Sequence, residues 1–225
     1  MKITTEIGFC VCCGKPTPSR LLNKQDLESD LTLKSFDEYK TLIINKCEFC
    51  DYVGEDLSDS INPKMLVIVN SEEYQKILNK DYSYSFENKF MANNLEINQY
   101  DAYAYLCEKI EDYEKACLAL FGSASLKEIL IGNYAELVYT SPYDNDKYGQ
   151  AVEELKQARE KDLYKLVELS LNLNNRFVDL LACESLIGLK EIDKAKQLLN
   201  NIEIDESLKL YFENLIRNAE ADYDW

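Results

Sequence analysis

The chain reads as an α+β protein, mostly α, with a small four-cysteine β module followed by antiparallel helical hairpins. Three observations carry that reading. Two Cys-x-x-Cys pairs, Cys10 with Cys13 and Cys47 with Cys50, fall near the N-terminus. Beyond Asn62-Pro63 the apolar residues recur at helical spacing with short breaks. Inside that stretch an alanine followed four residues later by leucine returns three times.

The cysteine pairs carry the chemistry. In Phe9-Cys10-Val11-Cys12-Cys13-Gly14 and Lys46-Cys47-Glu48-Phe49-Cys50-Asp51, a two-residue gap lets a tight turn aim both thiolates at one point. Two such turns supply the four sulfurs of a tetrahedral all-thiolate zinc site, one ion per chain. Gly14 follows the first pair, where such a knuckle needs a left-handed residue. Asp51 stands at the same place after the second and tolerates that conformation better than most residues, though less well than glycine. The 33 residues between the pairs exceed the usual ribbon spacing, which one short insertion explains. A closed shell of four thiolates leaves no open position for water or substrate, so the expected role is structural and not hydrolytic. Rubredoxin-like iron uses similar paired knuckles, but the Gly- and Pro-rich stretch and aromatic core of such proteins are missing here. Cys12, inside the first knuckle, allows a third reading, a redox sensor that exchanges with Cys10 or Cys13.

Composition narrows the rest. The net charge is −16, and residues 1–60 already hold 7 Lys/Arg against 11 Asp/Glu. Such a surface repels phosphate backbones, so nucleic acid is disfavoured and a protein or peptide partner with basic patches is expected. The chain has no histidine, which removes His-based triads and mixed Cys/His zinc sites. Seven glycines leave little material for phosphate-cradling loops, and no Walker loop, Gly-x-Gly-x-x-Gly or nucleophile elbow is present. No signal peptide or membrane span is expected, which places the protein in the cytoplasm. Cys107, Cys117 and Cys183 then read as small buried apolar residues, not as disulfide partners. Acidic pairs such as Glu111-Asp112 and Glu153-Glu154 read as solvated faces, so no acid–base role is assigned. Among the 16 tyrosines, Tyr82, Tyr84, Tyr100, Tyr103 and Tyr105 are expected to pack between helices with their hydroxyls at the surface.

Taken in order, Ile3 to Phe9 reads as a strand entering the first knuckle. Lys15-Pro16-Thr17-Pro18-Ser19 reads as a turn, because two prolines disfavour a helix. Leu21 to Phe36 has mixed character, and Tyr39 to Asn45 reads as a strand feeding the second pair. Val53-Gly54 and Asn62-Pro63 close the module, so residues 1–62 form a zinc ribbon with rubredoxin-like knuckles and residues 63–225 an all-helical domain. Asn70 or Ser71 caps a helix through Leu78, with Glu72 and Glu73 in its first turn. Phe86 to Leu95 continues the helical pattern, and Asp205 or Ser207 to Ala221 is a capping helix.

The repeat places Tyr113, Tyr148 and Ile192 three residues before Ala116, Ala151 and Ala195, with Leu120, Leu155 and Leu199 four after. Twelve residues upstream lie Ala104, Tyr139 and Cys183. This resembles the tetratricopeptide pattern, most clearly at Tyr148, Ala151, Leu155 and Ala158. Tyr139 is large for a small-residue position, and a generic antiparallel bundle buries the same faces.

The combination is similar to a bacterial family of unknown function with a four-cysteine ribbon and tetratricopeptide-like helices. The matching residues are Cys10, Cys13, Gly14, Tyr39, Cys47, Cys50 and Tyr52, with Asp51 in place of a second glycine. The resemblance implies a structural zinc and no assigned activity. The function expected is a noncatalytic adaptor or scaffold with a partner surface on its helical hairpins. The alternative is a zinc-ribbon regulator of a transcription or other nucleic-acid machine, using Lys2, Lys15, Arg20, Lys24, Lys34, Lys40 and Lys46.

Overall fold

The computed structural model describes residues 2–23, 31–59, 63–80, 88–140 and 145–221. Its N-terminal part holds two small antiparallel ribbons. Strand β1 (Lys2–Phe9) pairs with β2 (Pro16–Asn23), and β3 (Asn45–Lys46) pairs with β4 (Val53–Gly54). The turn expected at residues 15–19 is therefore a strand from Pro16 on. Pro16 and Pro18 are two residues apart, so both nitrogens face the same edge. That edge points away from β1, because at Arg20, the next residue of the same parity, N–H and C=O both bond Asn45 instead, at 2.8 and 3.0 Å. Prolines remove no ladder bond there, and an edge strand accepts them.

The strand expected over Tyr39 to Asn45 shrinks to β3, because α1 (Leu33–Lys40) takes the segment before it. Thr32 caps this helix. Ser35 N–H donates to the Thr32 hydroxyl oxygen, and Thr32 N–H donates to that of Ser35, a reciprocal box. Phe36 and Tyr39 share the buried face of α1. They settle on α9 (Glu206–Ala221) and α7 (Arg176–Gly188): Phe36 packs on Tyr211 and Phe212, and Tyr39 stacks on Phe177 with centroids 4.6 Å apart. The long connection between the cysteine pairs thus carries a helix that docks on the helical half.

The other helices are α2 (Pro63–Val69), α3 (Glu72–Leu78), α4 (Asn88–Lys109), α5 (Tyr113–Thr140), α6 (Asn145–Ser170) and α8 (Ile192–Leu199). Ser71 caps α3 through its hydroxyl and Tyr74 N–H, with Glu72 and Glu73 in the first turn, as the sequence suggests. The domain boundary expected at residue 62, and Tyr82 and Tyr84, lie outside the described residues.

Helices α4 and α5 form one hairpin and α7 and α8 another, and their turns are bonded alike. Asp112 N–H reaches Cys107 O and Glu191 N–H reaches Leu186 O, while Glu111 and Lys190 take φ of 67° and 62°. Each pair of matching residues is 79 positions apart, which is also the spacing of Ala116 and Ala195. At the second hairpin Cys183 Sγ lies 3.7 Å from Ala195 O. Helix α5 runs unbroken from Ala116 to Tyr139, so the hairpin it forms with α6 shares a helix with the first. Residues 113–136 of α5 are long and apolar enough to cross a membrane by length and composition, but 44 % of the 18-residue apolar window within them is buried in this fold.

One apolar cluster runs from Cys10, Phe36 and Cys47 through α4 and α5 to Phe212 and Ile216, and joins the ribbons to the helices. Polar contacts reinforce the seam. The Tyr100 hydroxyl donates to Leu42 O at 2.6 Å, Tyr103 to Glu55 at 3.0 Å and Tyr39 to Glu114 at 2.8 Å. Two of the clustered tyrosines therefore spend their hydroxyls on the ribbon part. Gly122 makes room for one of them: a Cβ there would stand 2.4 Å from the Tyr100 ring.

Candidate metal centre

Both knuckles are built by the same backbone bonds. Cys10 N–H donates to Lys15 O at 2.8 Å and Gly14 N–H to Cys10 O at 2.7 Å. Cys47 N–H donates to Tyr52 O at 2.8 Å and Asp51 N–H to Cys47 O at 3.0 Å. Each turn closes with a left-handed residue, Gly14 at φ 68° and Asp51 at φ 62°. Asp51 is further held by Lys46, whose Nζ lies 2.9 Å from its carboxylate.

The turns bring all four predicted ligands together. The sulfurs of Cys10, Cys13, Cys47 and Cys50 lie within 4.8 Å of one another, and the set could hold a metal ion. Cys10 and Cys50 sulfurs are 3.6 Å apart, and Cys13 and Cys47 sulfurs 3.7 Å. A tetrahedron with metal–sulfur bonds of about 2.3 Å has edges of about 3.8 Å, so these two edges suit a four-thiolate metal site. Cys10 and Cys47 are buried, and Cys13 and Cys50 are half-buried on the outer side.

Crowding shapes the acidity of these thiols. Burial pushes Cys10 up and drives Cys50 well above the ordinary thiol range, with the neighbouring sulfurs adding to the rise at Cys50. Burial opposes ionisation at Cys13 too, but the Lys15 N–H and the other thiols donate to its sulfur and hold it below the usual value. A divalent cation at the centre of the four sulfurs would favour the ionised form of every one of them. Cys12 does not join the cluster. It is half-buried, and burial followed by the neighbouring cysteines pushes its thiol up to about 12.

Two supporting residues escaped sequence reasoning. Tyr74 of α3, fully buried, donates from its hydroxyl to Asp51 O at 2.9 Å and accepts from Val53 N–H at 3.1 Å, which fixes the second knuckle. Asn45 clasps the two ribbons: besides Arg20 it reaches Glu55 O, at 2.6 Å from Nδ2. The polar side chains sit far from the cysteines in sequence or inside an apolar run, so only the fold reveals their duty. Tyr39 spends its hydroxyl on Glu114 and its ring on Phe177, and so serves docking. Cys107, Cys117 and Cys183 are buried as expected, and burial pushes each thiol up to about 12.

No family model, curated protein or solved structure matches this chain.

Proposed function

We propose that the chain is a noncatalytic zinc-binding protein-interaction module, with one structural zinc on Cys10, Cys13, Cys47 and Cys50. The observation that carries the metal half is the pair of knuckles closed by matching backbone bonds, with sulfur separations of 3.6 and 3.7 Å between them. The zinc would tie β1 and β2 to β3 and β4, with no position left for a substrate. The eight free cysteines, three of them buried in helices, suit a reducing cytoplasmic setting.

The interaction half rests on the outer face of the first ribbon. Ile3, Ile7 and Phe9 of β1 are 58, 81 and 69 % exposed, and Phe49 of the second knuckle 60 %. The register sets Leu22, Pro18 and Pro16 beside them on the same face, with Arg20 as its charged residue and no acid. Beyond β1 no further strand pairs among the described residues, so its outer edge can accept one. An extended protein segment with apolar side chains fits this face, and the net charge of −16 favours a partner with basic patches overall. In this reading partner capture falls to the ribbon as well as to the helical hairpins. Two of the cations named for the nucleic-acid reading are already paired: Lys40 with Glu184 and Asp37, and Lys46 with Asp51.

Native mass spectrometry with elemental analysis of untagged protein tests the metal half. One zinc per chain, lost together with the ribbon fold on chelation, is the expected result. Iron with visible absorption would instead assign electron transfer, and no metal would end the proposal. A folded Ile7→Asp, Phe9→Asp variant that still holds a wild-type partner equally well would remove the docking face.

A further inference from the structure

The first ribbon has two edges, and the chain treats them differently. On the β2 side, Pro16 and Pro18 offer no N–H and Asn45 takes both backbone groups of Arg20, so that edge is closed. Thr5 stands opposite Arg20 in the register, and Arg20 turns its N–H and C=O away from β1. Such a pair makes no hydrogen bond across the ribbon, so Thr5 turns its own two groups to the opposite edge. With a period of two, Ile3, Ile7 and Phe9 do the same. None of these four is a proline or a charged residue, and the pairing of β1 with β2 runs without a bulge. Those are the devices that usually protect an exposed edge, and β1 lacks them. Among the described residues no strand covers it.

Given the docking role proposed for this face, we infer that its occupant is a second copy of the chain, paired antiparallel along β1 about a two-fold axis at Thr5. The register follows from three constraints. Groups that bond outward must stand opposite one another, so odd residues of β1 have to meet odd residues. A two-fold axis at Glu6 satisfies this but sets two carboxylates directly opposite, which is unfavourable. An axis at Thr4 or Ile7 shortens the overlap to five residues of the strand's eight. The axis at Thr5 keeps residues 2–8 paired, with Thr5 on Thr5, Thr4 on Glu6 and Ile3 on Ile7 of the second copy, the last contact made twice.

Because odd residues meet odd, the two ribbons join as one four-stranded sheet with both apolar faces on the same side. The interface is isologous, as closed dimers require. Arg20, the charged residue of that face, lies one strand in from the join. Its two copies stand on the order of 14 Å apart, beyond the screening length at physiological salt. The net charge of −16 opposes association at long range, so salt should favour the dimer.

Sedimentation velocity of the full chain as purified tests the assignment, with a reversible dimer expected at about 100 μM. Thr5→Pro removes an outward N–H and fills the edge, as Pro16 and Pro18 do on β2, while leaving the bonds between β1 and β2 in place. It should weaken the dimer at least about tenfold with circular dichroism unchanged. Ile3→Lys and Ile7→Asp should each weaken it too. Combined in one chain they should restore it, because only the axis at Thr5 sets each lysine opposite an aspartate. Raising salt from about 50 to 300 mM should tighten the dimer, whereas a basic partner would be released. A wild-type chain still monomeric at about 500 μM, a dimer untouched by Thr5→Pro, or a double variant no better than the single ones would overturn the inference. A monomer whose Ile7→Asp, Phe9→Asp variant nonetheless loses a different partner would remove the second copy and leave the docking face standing.

Discussion

The four-cysteine cluster and the Lys127 cluster solve one problem in opposite ways. Each gathers groups that carry negative charge where water is scarce, and each needs a cation at the centre. The cysteines offer four sulfurs within 4.8 Å and leave the cation to be captured. In the helical half the cation is part of the chain: Lys127 of α5 is buried, and Asp101 of α4 and Asp162 of α6 close on it. The difference decides what each region responds to. With the metal proposed for the cysteines, the ribbon end would respond to metal supply, whereas the helical cluster would respond to folding and to pH.

The largest expected effect breaks the comparison at the metal. Chelation, or Cys47→Ser, should unfold the N-terminal ribbons, since structural zinc supplies on the order of 10 kcal/mol of apparent folding free energy in small modules. Near-ultraviolet dichroism of Tyr39, Tyr52 and Tyr74 against far-ultraviolet helical signal would show the ribbon lost while helices persist. A chain indifferent to chelation would mean that this end needs no metal. Next comes Lys127→Met, which leaves two carboxylates facing each other in the core. Breaking a buried pair costs about 3–5 kcal/mol, read as a fall in melting temperature. Adding Asp101→Asn and Asp162→Asn to Lys127→Met should restore much of it, because the uncompensated charges are then gone.

Acid should move the two regions in opposite directions. The Asp162 carboxyl is held at about 6 in the fold, against about 3.9 in an unfolded chain. Folding therefore takes up a proton between those values. The contribution is complete below the unfolded value and is lost as pH rises through 6, so acidification from neutral pH should stabilise the helical part by on the order of 1–2 kcal/mol. Asp162→Asn should flatten that dependence. The metal end should weaken over the same range, because protons compete for thiolates. The smallest effect separates the two knuckles. Gly14→Ala at φ 68° should cost about 1–2 kcal/mol, while Asp51→Gly should stay within about 0.5 kcal/mol, since relief of the left-handed strain offsets the lost pair with Lys46.

The knuckles were legible in the sequence because each is closed by bonds spanning four or five residues. Two-residue cysteine spacing and a left-handed residue after the second cysteine specify those bonds locally. The cap at Ser71 and the hairpin turns at Glu111 and Lys190 are local in the same sense. Strand β2 was missed because prolines are strand breakers except on an edge, and which edge faces Asn45 is not written in residues 16–23. Helix α1 was missed although Thr32 and Ser35 make a box, since the usual acidic partner is absent and its buried face is two aromatics. Those aromatics gain a partner only from α7 and α9, more than a hundred residues away.

By itself, then, the sequence determined the four clustered cysteines, the shape of both turns that present them, the burial of the three remaining helical cysteines and the helical character beyond residue 63. These depend on short-range backbone geometry and apolar periodicity, which each segment carries within itself. Only the tertiary structure decided that the ribbons share one core with the helices and turn an apolar face outward. It also decided that Lys127 meets Asp101 and Asp162, which are 26 and 35 residues from it. Lys127 within its own helix states no partner; its environment is the sum of three helices, and it exists only once they pack.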